Sequence, residues 1–157
     1  IAFMLYVPFT ISMQTQERTY NKQKTDELQK LVTSCWRNFT LTCLAPDITK
    51  IEKLVREGAN PNIKAQNARG ATVLQLAIEY LTLNKSTAGF LELLLHHGAQ
   101  PNLRNNYGES AIDWAIIRDA RLLTVLMPYK PDIHEKDNFD RTPLRLAVES
   151  GKLAAVE

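Results

Sequence analysis

Asp140-Arg-Thr-Pro-Leu-Arg-Leu-Ala147 is the stretch on which the fold turns, because two earlier lines of the chain repeat it. Gly70-Ala-Thr-Val-Leu-Gln-Leu-Ala77 and Gly108-Glu-Ser-Ala-Ile-Asp-Trp-Ala115 align with it, and their hydroxyl residues Thr72, Ser110 and Thr142 stand 38 and then 32 positions apart. A hydroxyl at that place is a helix N-cap, whose oxygen accepts a bond from an orphan N–H one turn into the helix. Pro143 follows at the first helical position, where a missing N–H costs nothing. Leu74, Ile112 and Leu144, with Leu76, Trp114 and Leu146, are the apolar positions, and Ala77, Ala115 and Ala147 keep the helix thin for close packing.

A second string recurs upstream of these lines. Leu54-Val-Arg-Glu-Gly-Ala-Asn-Pro-Asn62 matches Leu94-Leu-His-His-Gly-Ala-Gln-Pro-Asn102, and a degenerate copy, one residue shorter than expected, spans 126–134. Gly58 and Gly98 mark the ends of second helices, where glycine adopts the left-handed terminal turn. The polar stretches that follow, 62–70, 102–108 and 134–140, read as exposed turns or hairpins. The unit is therefore helix, turn, helix, hairpin, with a period of about 33 residues. These strings in phase make the chain similar to the ankyrin-repeat family. The resemblance covers 47–157 well and 26–46 weakly, with Val73 and Ala111 where a proline is expected and no Gly-Ala in the copy at 126–132. It implies an all-α ankyrin-repeat solenoid of about four repeats, the first degenerate and the last truncated. The expected domain is 26–157, with repeats near 26–62, 63–102, 103–134 and 135–157, preceded by an extension, 1–25, outside the fold.

Deviations from the period predict local features. Five extra residues in 80–90, among them Asn84, Lys85, Ser86, Thr87 and Gly89, predict a long, loose turn that is the softest internal segment. The hairpin at 62–70 is two residues longer than the next. Ahead of the clear repeats, Leu28, Leu31, Val32, Cys35, Trp36 and Phe39 recur at helical spacing, and Asp47 is the expected cap of a helix carrying Ile48, Ile51, Leu54 and Val55. This pair reads as a worn first repeat that covers the end of the stack, with a partner-binding helix as the alternative. At the other end, Leu146, Leu153 and Val156 are expected to be partly exposed, and the natural chain is expected to continue past Glu157.

At 157 residues the chain is about one domain, large enough to bury a core without disulfides. Apolar residues make up 45% and charged residues 23%, and the formal charge of +2 is dispersed, which gives no nucleic-acid footprint. Cys35 and Cys43, eight apart, define no disulfide framework, so a cytoplasmic home is expected, with secretion as an effector left open. Residues 1–13 are nearly all apolar but interrupted by Pro8 and too short for a membrane helix. They read either as an upstream over-extension ahead of Met13 or as a targeting remnant.

No catalytic constellation assembles along the sequence: there is no His-Glu-x-x-His, no Gly-x-Ser-x-Gly, no phosphate loop and no dinucleotide turn. Adjacent His96 and His97 diverge by about 100° on a helix end and cannot share a metal. They suit the terminal carbonyls instead. The triplets Asn38-Phe-Thr40 and Asn84-Lys-Ser86 match glycosylation sequons, which carry little weight without a secretory signal. No enzyme activity, cofactor, metal, nucleic acid or small-molecule substrate is expected, and no membrane attachment beyond a tether by 1–13 as a third reading.

The informative residues are those the repeat does not need. Arg69, Tyr107 and Phe139 precede the aligned Gly70, Gly108 and Asp140 at the hairpin tips. Aromatic side chains at such tips suggest partner anchors, while packing against the neighbouring hairpin is the competing explanation. Asn106, Asn138, Glu109 and Arg141 flank them, and Glu79, Tyr80, Ile117 and Arg118 end the first helices. The resemblance implies a non-catalytic module that binds a protein partner on the concave face of hairpins and first helices. A targeting segment of a larger enzyme or effector is the alternative.

Overall fold

A computed structural model describes residues 19–37, 44–66, 68–80 and 85–152. The expectations placed on 1–13, Cys43, Asn38, Asn84, Leu153 and Val156 lie outside the described residues, as do those on the side chains of Cys35 and Tyr80. Among the described residues seven α-helices follow one another: α1 (Lys22–Arg37), α2 (Leu44–Arg56), α3 (Val73–Tyr80), α4 (Lys85–His96), α5 (Ala111–Arg118), α6 (Leu123–Leu126) and α7 (Pro143–Glu149). Between α2 and α3, strand β1 (Lys64–Ala65) pairs antiparallel with β2 (Ala71–Thr72), Lys64 opposite Thr72 and Ala65 opposite Ala71. Helices α1 and α2, α3 and α4, and α5 and α6 pack as pairs, and the pairs stack α3 on α5 on α7 and α2 on α4 on α6.

The caps read from sequence fix these short helices. Thr72 Oγ1 accepts the Gln75 N–H at 3.3 Å while Gln75 Oε1 accepts the Thr72 N–H at 2.9 Å. Ser110 donates its N–H and hydroxyl to Asp113 Oδ2, at 2.7 and 2.9 Å. Thr142 Oγ1 accepts the Arg145 N–H at 3.3 Å. An eight-residue helix is not stable alone, so burial of Leu74, Ile78, Ile112, Leu91, Leu94, Leu122 and Leu126 between layers has to hold the stack. Each such side chain contributes about 1.5–3 kcal/mol. Gly58 and Gly98, at φ 93° and 94°, end α2 and α4, and the N–H groups of Ala59 and Ala99 reach back to Leu54 and Leu94 at 2.9 Å.

Several boundaries depart from the sequence reading. The first helix begins at Lys22, four residues ahead of the expected domain start at 26. Asn21 accounts for this, since it caps the helix through Oδ1 to the Lys24 N–H at 3.1 Å and donates its own N–H to the Gly58 carbonyl at 2.8 Å. Asp47 lies inside α2 rather than capping it. Lys85, Ser86, Thr87 and Gly89 do not form a loose turn, because α4 starts at Lys85, while 81–84 lie outside the described residues. The second helix of the third unit is broken: α6 is flanked by 3-10 turns at Ala120–Leu122 and Met127–Tyr129. Pro128 withholds an N–H there, and Lys130 takes the left-handed turn at φ 50° where the earlier copies have glycine.

The end of the stack also differs. Leu146, expected to be exposed, is buried, whereas Leu144 and Val148 are 56% and 61% exposed. Their counterparts on α5, Ile112 and Ile116, are only 2% and 3% exposed because α7 covers them. Helical spacing assigns Leu144 and Val148 to a buried face, but the face is closed only where a further helix lies on it. Among the described residues, no helix is long and apolar enough to cross a membrane.

Candidate partner-binding surface

The hairpin tips nest against one another through their backbones. The Asn106 N–H donates to the Arg69 carbonyl at 2.8 Å, and the Asn138 N–H donates to the Tyr107 carbonyl at 3.0 Å. Asn138 Nδ2 adds a bond to the Asn106 carbonyl at 3.0 Å. The approach is close enough that a Cβ on Gly108, at φ 76°, would stand 2.8 Å from the Asn138 backbone nitrogen. Glycine is therefore required both by the left-handed turn and by the neighbouring hairpin.

This nesting brings the side chains ahead of Gly70, Gly108 and Asp140 into one row. The rings of Tyr107 and Phe139 stack with centroids 6.5 Å apart and planes inclined by 17°. The Arg69 guanidinium lies 5.4 Å from the Tyr107 centroid, and that of Arg141 lies 4.9 Å from the Phe139 centroid. The two explanations weighed for the aromatic pair are thus both partly true. The rings do pack against the adjacent hairpin, yet Tyr107 remains 41% and Phe139 58% exposed.

Beneath the row, polar side chains hold each tip. In the third unit, buried Asn105 accepts the N–H groups of Tyr107 and Glu109 on Oδ1, at 2.9 and 3.0 Å, and donates Nδ2 to Glu109 Oε2 at 2.8 Å. In the last unit Asp137 does the same work, accepting the Phe139 and Arg141 N–H groups at 2.9 Å while Arg141 Nε binds its other oxygen at 2.8 Å. Burial acts to raise the Asp137 carboxyl, but Arg141 and the two backbone N–H groups outweigh it and hold the group below its ordinary value. Asp113 goes the other way: burial pushes it up despite the bonds from Ser110 and the Arg104 guanidinium 4.0 Å away. Arg104 also donates to the Gly108 carbonyl and pairs with Glu135 at 2.8 Å, so it ties two hairpins together.

The residues picked out from sequence divide accordingly. Arg69, Tyr107 and Phe139 form the exposed row, with half-buried Arg141 at its end. Asn106 and Asn138 carry the ladder beneath it. Glu109 is turned inward, its Oε2 shared between Asn105 and the Trp114 indole N–H at 2.9 Å. Arg118 stands apart from the row, paired with Glu79 of the preceding first helix. Tyr80 ends α3, and its side chain lies outside the described set. Sequence reading missed Asn105, Asp137 and Arg104, and it missed Gln75, whose Nε2 reaches the Glu109 carbonyl at 2.6 Å. Asn105 and Asp137 sit 32 positions apart, each two residues before a tip aromatic, which was the available signal. Among the described residues, no three His, Cys, Asp or Glu side chains gather as metal ligands.

Comparison with known proteins points in one direction. No family model matches the chain. An ankyrin repeat protein of fowlpox virus is 34% identical over 100 residues, 62% of this chain. A second fowlpox ankyrin repeat protein is 33% identical over 104 residues. An alpha-latrotoxin of Latrodectus geometricus is 35% identical over 88 residues. The matched stretch spans only 16%, 29% and 6% of these relatives' own lengths.

Proposed function

Because the chain is an ankyrin-repeat solenoid, we propose that it is a non-catalytic interaction module that takes a partner protein along its hairpin tips. The single observation that carries this reading is the stacked, exposed pair Tyr107 and Phe139. Large aromatic side chains are the usual anchors of protein interfaces. Here they are already fixed by the Asn105 and Asp137 clamps and by each other, so little side-chain or loop ordering is left to oppose binding. Arg69 and Arg141 border the anchors, and the exposed end of α5, with Ile117 and Arg118, stands apart from them as a separate secondary contact. Residues 26–157 are the interaction domain in this reading, to which α1 adds 22–25, and the working compartment is the cytoplasm. The short share of each relative that is matched favours a second reading, in which the same surface recruits a target for activity carried elsewhere in a larger protein.

The test is comparative capture. The chain, the variant Tyr107→Ala/Phe139→Ala and the variant Glu92→Ala on the outer side of α4 are immobilised at equal density, and bound proteins are quantified by mass spectrometry. A partner retained by wild type and Glu92→Ala but lost from the double variant supports the reading. A partner lost only from Glu92→Ala places binding on the outer helices and overturns it.

A further inference from the structure

We propose that the tip row takes an extended acidic peptide segment, with a carboxylate held by Arg69 and alternate apolar side chains laid on Tyr107 and Phe139; this rests on the interaction surface proposed above. The spacing comes first. An extended strand advances about 3.3–3.4 Å per residue, so side chains on one face recur every ~6.7 Å. The ring centroids are 6.5 Å apart and nearly parallel, so consecutive same-side residues of an extended segment land on consecutive rings.

Charge then gives the row a direction. Among the described residues, Arg104 is matched with Glu135, Lys136 with Asp140, Arg141 with Asp137 and Arg118 with Glu79, while the Lys64 ammonium is turned to the Arg104 carbonyl at 2.7 Å. Arg69 has no carboxylate of its own among the described residues. Its guanidinium carbon lies over the Tyr107 ring, 5.4 Å from the centroid, at an exposed residue whose N–H groups can take a carboxylate. Its backbone is held at φ 55°, a conformation disfavoured for any residue but glycine. At the opposite end Arg141 is already neutralised by Asp137, so the row has one cationic end and one neutral end.

The same charge pattern argues against nucleic acid, which needs several unmatched cations along its phosphates. A polypeptide with one acidic residue followed by apolar residues at alternate positions fits instead.

Fluorescence anisotropy on the intact chain tests this with three labelled probes. These are the peptide Glu-Ser-Leu-Ser-Leu-Ser, its counterpart with Lys in place of Glu, and a ten-residue oligothymidylate. The acidic peptide is expected to bind about threefold to fivefold more tightly than the lysine peptide, the range of a surface ion pair. Arg69→Gln should bring that ratio to about one, and Tyr107→Ala should weaken both peptides. A ratio near one on the wild-type chain overturns the inference, as does a ratio unchanged in Arg69→Gln. So does tighter binding of the oligothymidylate, or no peptide binding up to millimolar concentration. The two proposals fail separately. A captured partner lost from Tyr107→Ala/Phe139→Ala, with a peptide ratio near one, removes only the carboxylate recognition. A partner retained by that double variant removes the surface itself.

Discussion

Replacing Gly108 by alanine probes how closely the hairpin tips are nested. Gly108 sits at φ 76°, and a Cβ there would meet the Asn138 backbone nitrogen at 2.8 Å and Asn138 Oδ1 at 2.5 Å. The left-handed backbone costs a residue with a Cβ about 1–2 kcal/mol. Rotation of the Asn138 side chain would move Oδ1 away, but the backbone nitrogen can yield only if the last hairpin retreats. Retreat weakens the Asn138 N–H bond to the Tyr107 carbonyl and the Nδ2 bond to the Asn106 carbonyl, both 3.0 Å. At about 0.5–1.5 kcal/mol each, these bring the expected loss to roughly 2–5 kcal/mol. For a chain of this size that lowers Tm by roughly 4–20 °C. Gly151→Ala is the matched control, since Gly151 has φ 66° but nothing within 4 Å of the added carbon. Urea unfolding followed by tryptophan fluorescence reports on both, because buried Trp114 is bonded to Glu109 beside the affected hairpin. A Gly108→Ala loss no larger than that of Gly151→Ala would refute the nested arrangement.

Other perturbations follow from the same geometry. Gly89→Ala, within α4 and facing open space, should stabilise the chain by about 0.5–1 kcal/mol, read as a rise in Tm. Leu144→Lys/Val148→Lys should change the stability of this chain by less than about 0.5 kcal/mol, whereas Ile112→Lys, beneath α7, should prevent cooperative unfolding. Asp137→Asn should cost about 1–2 kcal/mol near pH 7 through loss of the Arg141 pair, and Asp137→Asn/Arg141→Glu should recover part of it by copying Asn105 and Glu109. The Asp137 carboxyl lies below its ordinary value, so its contribution is present above pH ~4 and is lost as pH falls through the lowered value. The gap between wild type and Asp137→Asn should therefore close in acid. Asp113 has the opposite sign: its raised value means its contribution declines as pH rises from ~4 through that value. A gap that is the same near pH 7 and pH 3 would count against the Asp137 assignment.

What could be read in advance was local. The accepting hydroxyl caps at Thr72 and Thr142 and the left-handed glycines at Gly58 and Gly98 are decided by groups within one helical turn, so the strings predict them directly; at Ser110 the hydroxyl donates to Asp113 instead. The tip aromatics were legible for the same reason, as exceptions to a repeating pattern. The misreadings concern what one unit does to the next. Leu144 and Leu146 are both apolar, and which of them is buried depends on the helix that lies across α7. Gly89 and Ser86 favour turns in isolation, but α4 runs through both from Lys85 into the buried Phe90, Leu91, Leu94 and Leu95. Asn105 and Asp137 read as ordinary polar hairpin residues, because their role comes from being buried beneath the tip they support.

The central claim is that a partner is bound by the tip row, and affinity against stability measures it most directly. Titration calorimetry with the captured partner, on wild type and on Tyr107→Ala/Phe139→Ala, is the decisive measurement. An aromatic pair at a surface contributes about 0.5–1.5 kcal/mol to folding, so Tm should fall by only a few degrees. Affinity should fall by about thirtyfold or more, corresponding to a loss of ~2 kcal/mol. An affinity unchanged by the double substitution, in a chain that still melts cooperatively near the wild-type temperature, would contradict the account.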